Sequence, residues 1–265
     1  MDFSKFQNQV FFSTIRITVP NDDGNTSSIG TGFLFDVQLE EGLIATFLVS
    51  NKHVFGDPNR KIILNFHKKR NDVYEPELGS IIPVEIENFK GHYYGHPDPK
   101  IDLACINVSA FAGPENNVYS RHLRDDLIDL EATNNVLAGS EVSFIGYPDN
   151  RFDSVHNLPI LRKGYLATLP FVHFNGMKQL IIDAQVYPGS SGSPVFVASG
   201  NRMKLLGVVT ETMVKNAEVK AIPTEFSYGV QQTIGLGVVL KAELVSELLN
   251  EAKEGLNKKR ASLSK

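Results

Sequence analysis

The chain has 265 residues, 42% hydrophobic and 21% charged, an ordinary composition for a globular protein long enough to bury a full core. Its net charge of -4 argues against a general nucleic-acid or membrane-surface binder. The single cysteine, Cys105, excludes an internal disulfide and suits a reducing compartment. The N-terminus carries no secretory signal and no stretch has the length of an apolar membrane span, so a cytoplasmic location is expected.

In chain order, most segments read as short strands between turn signals. TIRITVP (14–20) alternates, with Ile15, Ile17 and Val19 on one face. NDDGNTSS (21–28) reads as a loop. GTGFLFDVQL, LIATFLVS, RKIILNF, SIIPVEIENF and DLACINVS follow as strands of the first half, with the charged run at 65–76 expected to be a solvated hairpin tip. Tyr119 to Thr133 has Leu123, Leu127 and Leu130 at helical spacing and predicts an inter-barrel connection with one or two helical turns. EVSFIGYP, KQLIIDAQV, SPVFVAS, KLLGVVTETM and TIGLGVVL supply strands of a second half. Lys241 to Lys253 carries Leu244, Val245, Leu248 and Leu249 as one apolar stripe and predicts an amphipathic helix, ended by Gly255 and followed by a frayed basic tail. The expected boundaries are a first barrel within 1–115, a connection at 116–134, a second barrel at 135–240, and a helix and tail at 241–265. Strands at this spacing predict an all-β barrel or sandwich, and no metal-ligand cluster is present in the sequence.

The stretch YPGSSGSPVF (187–196) holds three serines, two glycines and two prolines, which by composition is a loop. A serine there can do chemistry only with a base in hydrogen-bond reach, a group orienting that base, and backbone N–H groups aimed at a developing oxyanion. Gly189-Ser190-Ser191-Gly192 can supply the turn. Among seven histidines, His53 stands where an apolar strand ends, and Asp102 opens another apolar strand. On spacing alone each of the three has an ordinary structural explanation.

The motifs taken together resemble the trypsin/chymotrypsin superfamily, most closely its HtrA-type, bacterial trypsin-like branch. SSIGTGFLF, FLVSNKHVF, PKIDLACINV, EVSFIGYP and DAQVYPGSSGSPVF resemble, in order, the family's segments around its first barrel, histidine, aspartate, second-barrel opening and serine. LLGVVTET and TIGLGVVLKAELVSELLNE extend the likeness, which spans about residues 12 to 252. It implies an all-β fold of two six-stranded antiparallel barrels with the site between them, plus a C-terminal helix. It also implies a serine endopeptidase with Ser191 as nucleophile, His53 as base and Asp102 as orienting acid, the Gly189 and Ser191 amides forming the oxyanion hole. No metal or organic cofactor is needed; the partner is a protein or peptide substrate.

Some positions depart from the digestive branch. Ser190 stands where that branch has an aspartate, so zymogen-style activation is not expected; ordering of the oxyanion loop by substrate or a regulatory partner protein is. Gln185 is neutral where an acid would select basic residues. Val209, Thr210 and Glu211 complete the expected substrate pocket, whose specificity stays open: an inward Glu211 would attract a basic residue, whereas the HtrA-type likeness favours small or medium aliphatic ones. Arg151 to Ala167 is expected to be a loop bordering the site, with His156 and Arg162 facing solvent. No PDZ domain is expected. The alternative reading is a catalytically silent protein of the same fold that binds peptides.

Overall fold

The computed structural model describes residues 5–21, 27–220 and 227–263. Residues 22–26 of the expected loop, Asp2 and the last two residues of the basic tail lie outside the described residues. The order is α1 (Phe6–Ser13), β1 (Thr14–Pro20), β2 (Ser27–Gln38), β3 (Ile44–Ser50), α2 (Lys52–Phe55), β4 (Ile62–Lys69), β5 (Pro76–Ile86), β6 (Tyr93–Gly95), β7 (Ala104–Asn107) and β8 (Val118–Tyr119). It continues with α3 (Leu130–Asn134), β9 (Glu141–Gly146), β10 (Ile160–Leu166), β11 (Gln179–Asp183), β12 (Pro194–Ser199), β13 (Arg202–Lys220), β14 (Ser227–Lys241) and α4 (Ala242–Leu263).

The fold is mainly β, in two halves. The second half is the expected six-stranded barrel, closed in the order β10-β11-β14-β13-β12-β9, all pairs antiparallel. The first half differs from a six-stranded barrel. It is an eight-stranded sheet along the path β5-β4-β1-β2-β3-β7-β6, with β8 added to β4. The extra strands are two very short ones: Tyr93–Gly95 pairs β7, and Val118–Tyr119 pairs β4. In β1 the alternation holds, with Ile15 and Ile17 buried and Val19 packed against the same cluster.

Three apolar clusters hold the halves. Ile15, Leu34, Leu48, Phe55 and Phe66 fill the first; Val142, Phe144, Leu180, Val195 and Val239 fill the second. The third lies between them and includes Phe35, Val49, Cys105, Ile145, Phe196 and the Leu244, Val245, Leu248 and Leu249 stripe of α4. One continuous core therefore fixes the two halves against each other, so loops at their junction keep a set geometry.

Four expectations need correction. α4 does not stop at Gly255 but runs through it to Leu263. The glycine is a contact rather than a cap: a Cβ there would lie 2.7 Å from Tyr94 Cε1. Leu123 is not on a helical stripe. It lies extended beside Phe35 of β2, with Leu123 N–H donating to the Leu34 carbonyl and Asp36 N–H to the Leu123 carbonyl, both at 2.9 Å. The charged hairpin is solvated only at residues 70–75; Asn65, Phe66 and His67 are buried. And Ile160–Leu166, within the expected loop, is strand β10 of the closed barrel. No helix among the described residues is long and apolar enough to cross a membrane.

Candidate active site

The loop at 187–193 is shaped by backbone hydrogen bonds that its glycines permit. Gly189 and Gly192 both have positive φ, +84° and +85°. At Gly192 a Cβ would meet the Thr31 carbonyl oxygen at 1.9 Å, so any side chain there is excluded. Ser190 N–H donates to the Tyr187 carbonyl (3.0 Å), and Ser193 N–H to the Ser190 carbonyl (3.0 Å). Asp149 N–H donates to the Pro188 carbonyl at 2.6 Å.

These bonds orient two amides. In a trans peptide the C=O and N–H point in opposite directions. With the Pro188 and Ser190 carbonyls engaged by Asp149 and Ser193, the N–H groups of Gly189 and Ser191 face the other way. Among the described residues neither of these two amides meets an acceptor. Two unpaired N–H groups, one on the serine itself and one two residues before it, are the donors an oxyanion needs.

β2 of the first half holds this loop of the second. Thr31 N–H donates to the Ser191 carbonyl at 3.0 Å. The Thr31 hydroxyl donates to the Gly189 carbonyl at 2.8 Å and accepts the Tyr147 N–H at 3.1 Å. The Ser50 hydroxyl donates to the Thr31 carbonyl at 2.6 Å.

His53 sits on the single turn α2, directly after β3. Its Nδ1 lies 2.5 Å from Asp102 Oδ2, and its backbone N–H donates to Asp102 Oδ1 at 3.1 Å. Asp102 is further held by the Thr210 hydroxyl, which donates to Oδ2 at 3.2 Å, and its carbonyl accepts Asn51 Nδ2 at 2.7 Å. Burial works to raise the Asp102 pKa but is outweighed by the His53 hydrogen bonds, the His53 charge and Thr210, so the carboxyl ends below its ordinary value. The carboxylate thus stays ionised where it meets the imidazole. The His53 side chain is about half exposed and opens to the cleft.

The Ser191 hydroxyl donates to the Thr210 carbonyl at 3.1 Å, and no hydrogen bond joins it to His53 among the described residues. Thr210 therefore touches both ends of the array, Asp102 by its side chain and Ser191 by its backbone. Sequence reasoning placed Thr210 in the substrate pocket; here its hydroxyl faces Asp102. Val209 belongs to the core of the second barrel, and its carbonyl accepts Gly192 N–H. Gln185 and Glu211 are exposed. The Gln185 carbonyl oxygen accepts from the Thr233 hydroxyl at 3.4 Å. Thr31, Asn51, Tyr147 and Asp149 were not singled out from the sequence. Thr31, Asn51 and Tyr147 stood inside quoted motifs and Asp149 did not; the hydrogen-bond partners of all four are remote in the chain.

A second serine–histidine–aspartate chain exists. Ser120 Oγ lies 2.8 Å from His122 Nε2, and His122 Nδ1 2.7 Å from Asp36 Oδ1. The Ser120 hydroxyl also has the Ala112 carbonyl at 2.8 Å, is almost fully buried, and lies in a segment stitched to β2 and to Tyr74. The adjacent Arg121 N–H is engaged by the Phe12 carbonyl. A cavity of about 460 Å³ opens there, with none of His53, Asp102 or Ser191 in its lining. This network fixes the connection between the halves. Cys105 is fully buried and burial pushes its thiol upward, so it is inert as a nucleophile. No cluster of three metal-binding side chains occurs among the described residues.

Comparison with known proteins agrees with the fold. Among solved structures, the Rv3671c protease from M. tuberculosis in its active form matches with a TM-score of 0.52 at 17% identity, over 92% of this chain and 82% of that one. A variant of the HtrA-type protease AlgW, solved with a decapeptide, matches with a TM-score of 0.52 at 14% identity, over 96% of this chain and 67% of that one. At such identities the likeness is one of fold. No curated protein matches the chain. The family profile described as a trypsin-like peptidase domain matches residues 30–208, well over half the sequence and all three candidate segments. The chain belongs to the trypsin-like peptidase family.

Proposed function

We propose that this chain is a serine endopeptidase working through Ser191, His53 and Asp102. The observations behind the reading are an ionised Asp102 paired with His53, and a serine whose own amide and that of Gly189 are unpaired among the described residues, with Thr210 touching both Asp102 and Ser191. In the reaction the Ser191 hydroxyl leaves the Thr210 carbonyl and turns to His53 Nε2. Its oxygen attacks the scissile carbonyl carbon as its proton passes to the imidazole. The Gly189 and Ser191 N–H groups take the oxyanion. Collapse breaks the C–N bond, the leaving amine receives the proton from His53, and Ser191 holds the acyl group as an ester. Water, giving its proton to His53, then releases the acid. Asp102 holds the imidazole with Nδ1–H toward it, and Thr210 holds Asp102. The partners are a protein or peptide substrate and no cofactor, and the expected home is the cytoplasm.

The second reading, a silent peptide-binding protein, is favoured by one observation: the Ser191 hydroxyl rests on Thr210 and not on the base. A fluorophosphonate probe separates the two. Labelling of wild type and none of Ser191→Ala supports the enzyme. A folded wild type that takes up no label supports the binder.

A further inference from the structure

β10 places an arginine inside the second barrel. Successive residues of a strand alternate between faces. On β10, Leu166 lies in the barrel core, and Gly164 is so close to Ala184 that a Cβ would stand 2.7 Å from the Ala184 Cβ. Arg162 shares that inward face. Its cross-strand partner is Phe144, itself a core residue, and its guanidinium carbon lies 5.0 Å from the Phe144 ring centroid. Lys163, on the opposite face, reaches Glu141 at the surface.

The end of the barrel that Arg162 occupies is the end that carries the nucleophile loop. Ile160, two residues before it, pairs with Gly146, and a Cβ at Gly146 would strike the Ser193 hydroxyl. The guanidinium carbon also lies 5.3 Å from the ring centroid of Tyr187, whose carbonyl holds the Ser190 amide. Two aromatic rings thus flank the guanidinium, one from the barrel core and one from the nucleophile loop.

Among the described residues Arg162 makes no ion pair and no hydrogen bond, and its Nη1 is buried without an acceptor. Burial lowers its pKa, opposed by Tyr187. A guanidinium nitrogen buried without an acceptor is costly. Natural proteins keep such a group where a ligand completes it. The acidic residues nearby in sequence and register, Asp183 and Glu211, are exposed.

Resting on the peptidase reading above, we propose that Arg162 is the specificity residue of the pocket that receives the side chain on the acyl side of the scissile bond, and that the preferred side chain there is a carboxylate, Glu or Asp. A guanidinium edge matches a carboxylate in two parallel charge-assisted hydrogen bonds. Stacking on Phe144 and Tyr187 holds that edge in place.

The test uses one peptide series differing only at that residue: Glu, Gln, Leu and Lys. Wild type is expected to cleave the Glu peptide with kcat/KM at least about 10-fold above the Gln peptide, the scale of a charged hydrogen bond. Arg162→Gln should remove that preference while fluorophosphonate labelling of Ser191 stays at the wild-type rate. Arg162→Lys should keep part of it. The proposal is overturned if wild type prefers Leu or Lys, or if Arg162→Gln slows all four peptides equally, which is the mark of a merely structural residue. It is also overturned if the preference appears at another subsite. Fluorescence anisotropy with product peptides ending in Glu or Gln reads the same preference without turnover. If Ser191 takes no label but Glu-ended peptides bind more tightly and lose that advantage in Arg162→Gln, the peptidase reading fails and the carboxylate site stands. Equal binding with normal labelling leaves the peptidase and removes the site.

Discussion

The Thr31 hydroxyl, on the first half of the molecule, donates a 2.8 Å hydrogen bond to the carbonyl of Gly189 in the nucleophile loop of the second. The same oxygen accepts the Tyr147 N–H. Thr31 is fully buried, so both partners lose a buried hydrogen bond if the hydroxyl goes. Thr31→Val keeps the shape and removes the hydroxyl. Leaving a buried N–H and C=O unpaired should cost about 1–3 kcal/mol of stability each at most. The larger effect should be on kcat, with KM little changed, because the loop that aims the Gly189 amide loses its tether and an oxyanion donor acts only in the transition state. A variant with unchanged kcat would show that the backbone bond from Thr31 N–H to Ser191 suffices.

The three serines of the loop are distinguishable. Ser191→Ala should lower kcat by about 10⁴-fold or more with the fold intact. Among the described residues the Ser190 and Ser193 hydroxyls are buried without hydrogen-bond partners. Removing an unpartnered buried hydroxyl relieves desolvation, so Ser190→Ala and Ser193→Ala should keep activity and melt at or above the wild-type temperature. Loss of activity at either one, with Ser191→Ala active, would mean the nucleophile has been misassigned.

His67 should make the protein acid-sensitive. It is buried against Phe12, neither ring nitrogen has a hydrogen-bond partner among the described residues, and burial depresses its pKa to about 4. The unfolded chain holds the ordinary value near 6.5. Between those values the unfolded state binds the extra proton. Stability is therefore full above about pH 6.5, declines as pH falls toward 4, and the loss is complete below that, about 3 kcal/mol in all. His67→Phe should flatten this part of the curve. Urea midpoints at pH 7 and pH 4.5 check it; equal pH dependence in both proteins would assign the sensitivity elsewhere.

Cys105 is packed in the core between the halves, and its thiol has no chemistry in the proposed reaction. Cys105→Ser buries a hydroxyl where a thiol packed, at a cost on the order of 1–3 kcal/mol. kcat should not change, and dithiothreitol should leave wild-type activity as it is. Inactivation by the reductant would reveal an intermolecular disulfide.

The parts of this molecule legible in its sequence are those with strong local signals. β1, β2, β3, β12 and the stripe of α4 are apolar runs with the right period, and each appears where the period puts it. His53, Asp102 and the loop around Ser191 stand in motifs, and the fold brings the histidine and the acid together. What was illegible depends on pairing. β10 reads ILRKGYL, with charges and a glycine that argue for a loop; it is a strand because β9 and β11 pair with it, and because Phe144 and Tyr187 stack on its arginine. Thr31 and Thr210 are single hydroxyls whose partners lie 158 and 108 residues away in sequence, beyond any local pattern. α1 carries too weak an apolar stripe to be read from its own eight residues.

Gly255 tests whether the helix passes the glycine because of what faces it. In a helix interior, Gly→Ala ordinarily stabilises by about 0.4–1 kcal/mol through lost freedom of the unfolded chain. Here the new methyl would stand 2.7 Å from Tyr94 Cε1. Tyr94 cannot simply swing away, since its ring sits edge-on to Phe47 and lies under the Lys259 ammonium, 4.8 Å from the centroid. Lys259 is itself fixed to the Gly91 carbonyl at 2.6 Å. The clash should therefore outweigh the helix gain, and Gly255→Ala should lower the melting temperature. In a Tyr94→Ala background the obstacle is gone, and the same substitution should raise it. That reversal of sign, measured as a double-mutant cycle, is the expected result. If Gly255→Ala stabilises the wild type as it would any exposed helix, the contact with Tyr94 is not what keeps a glycine at this position.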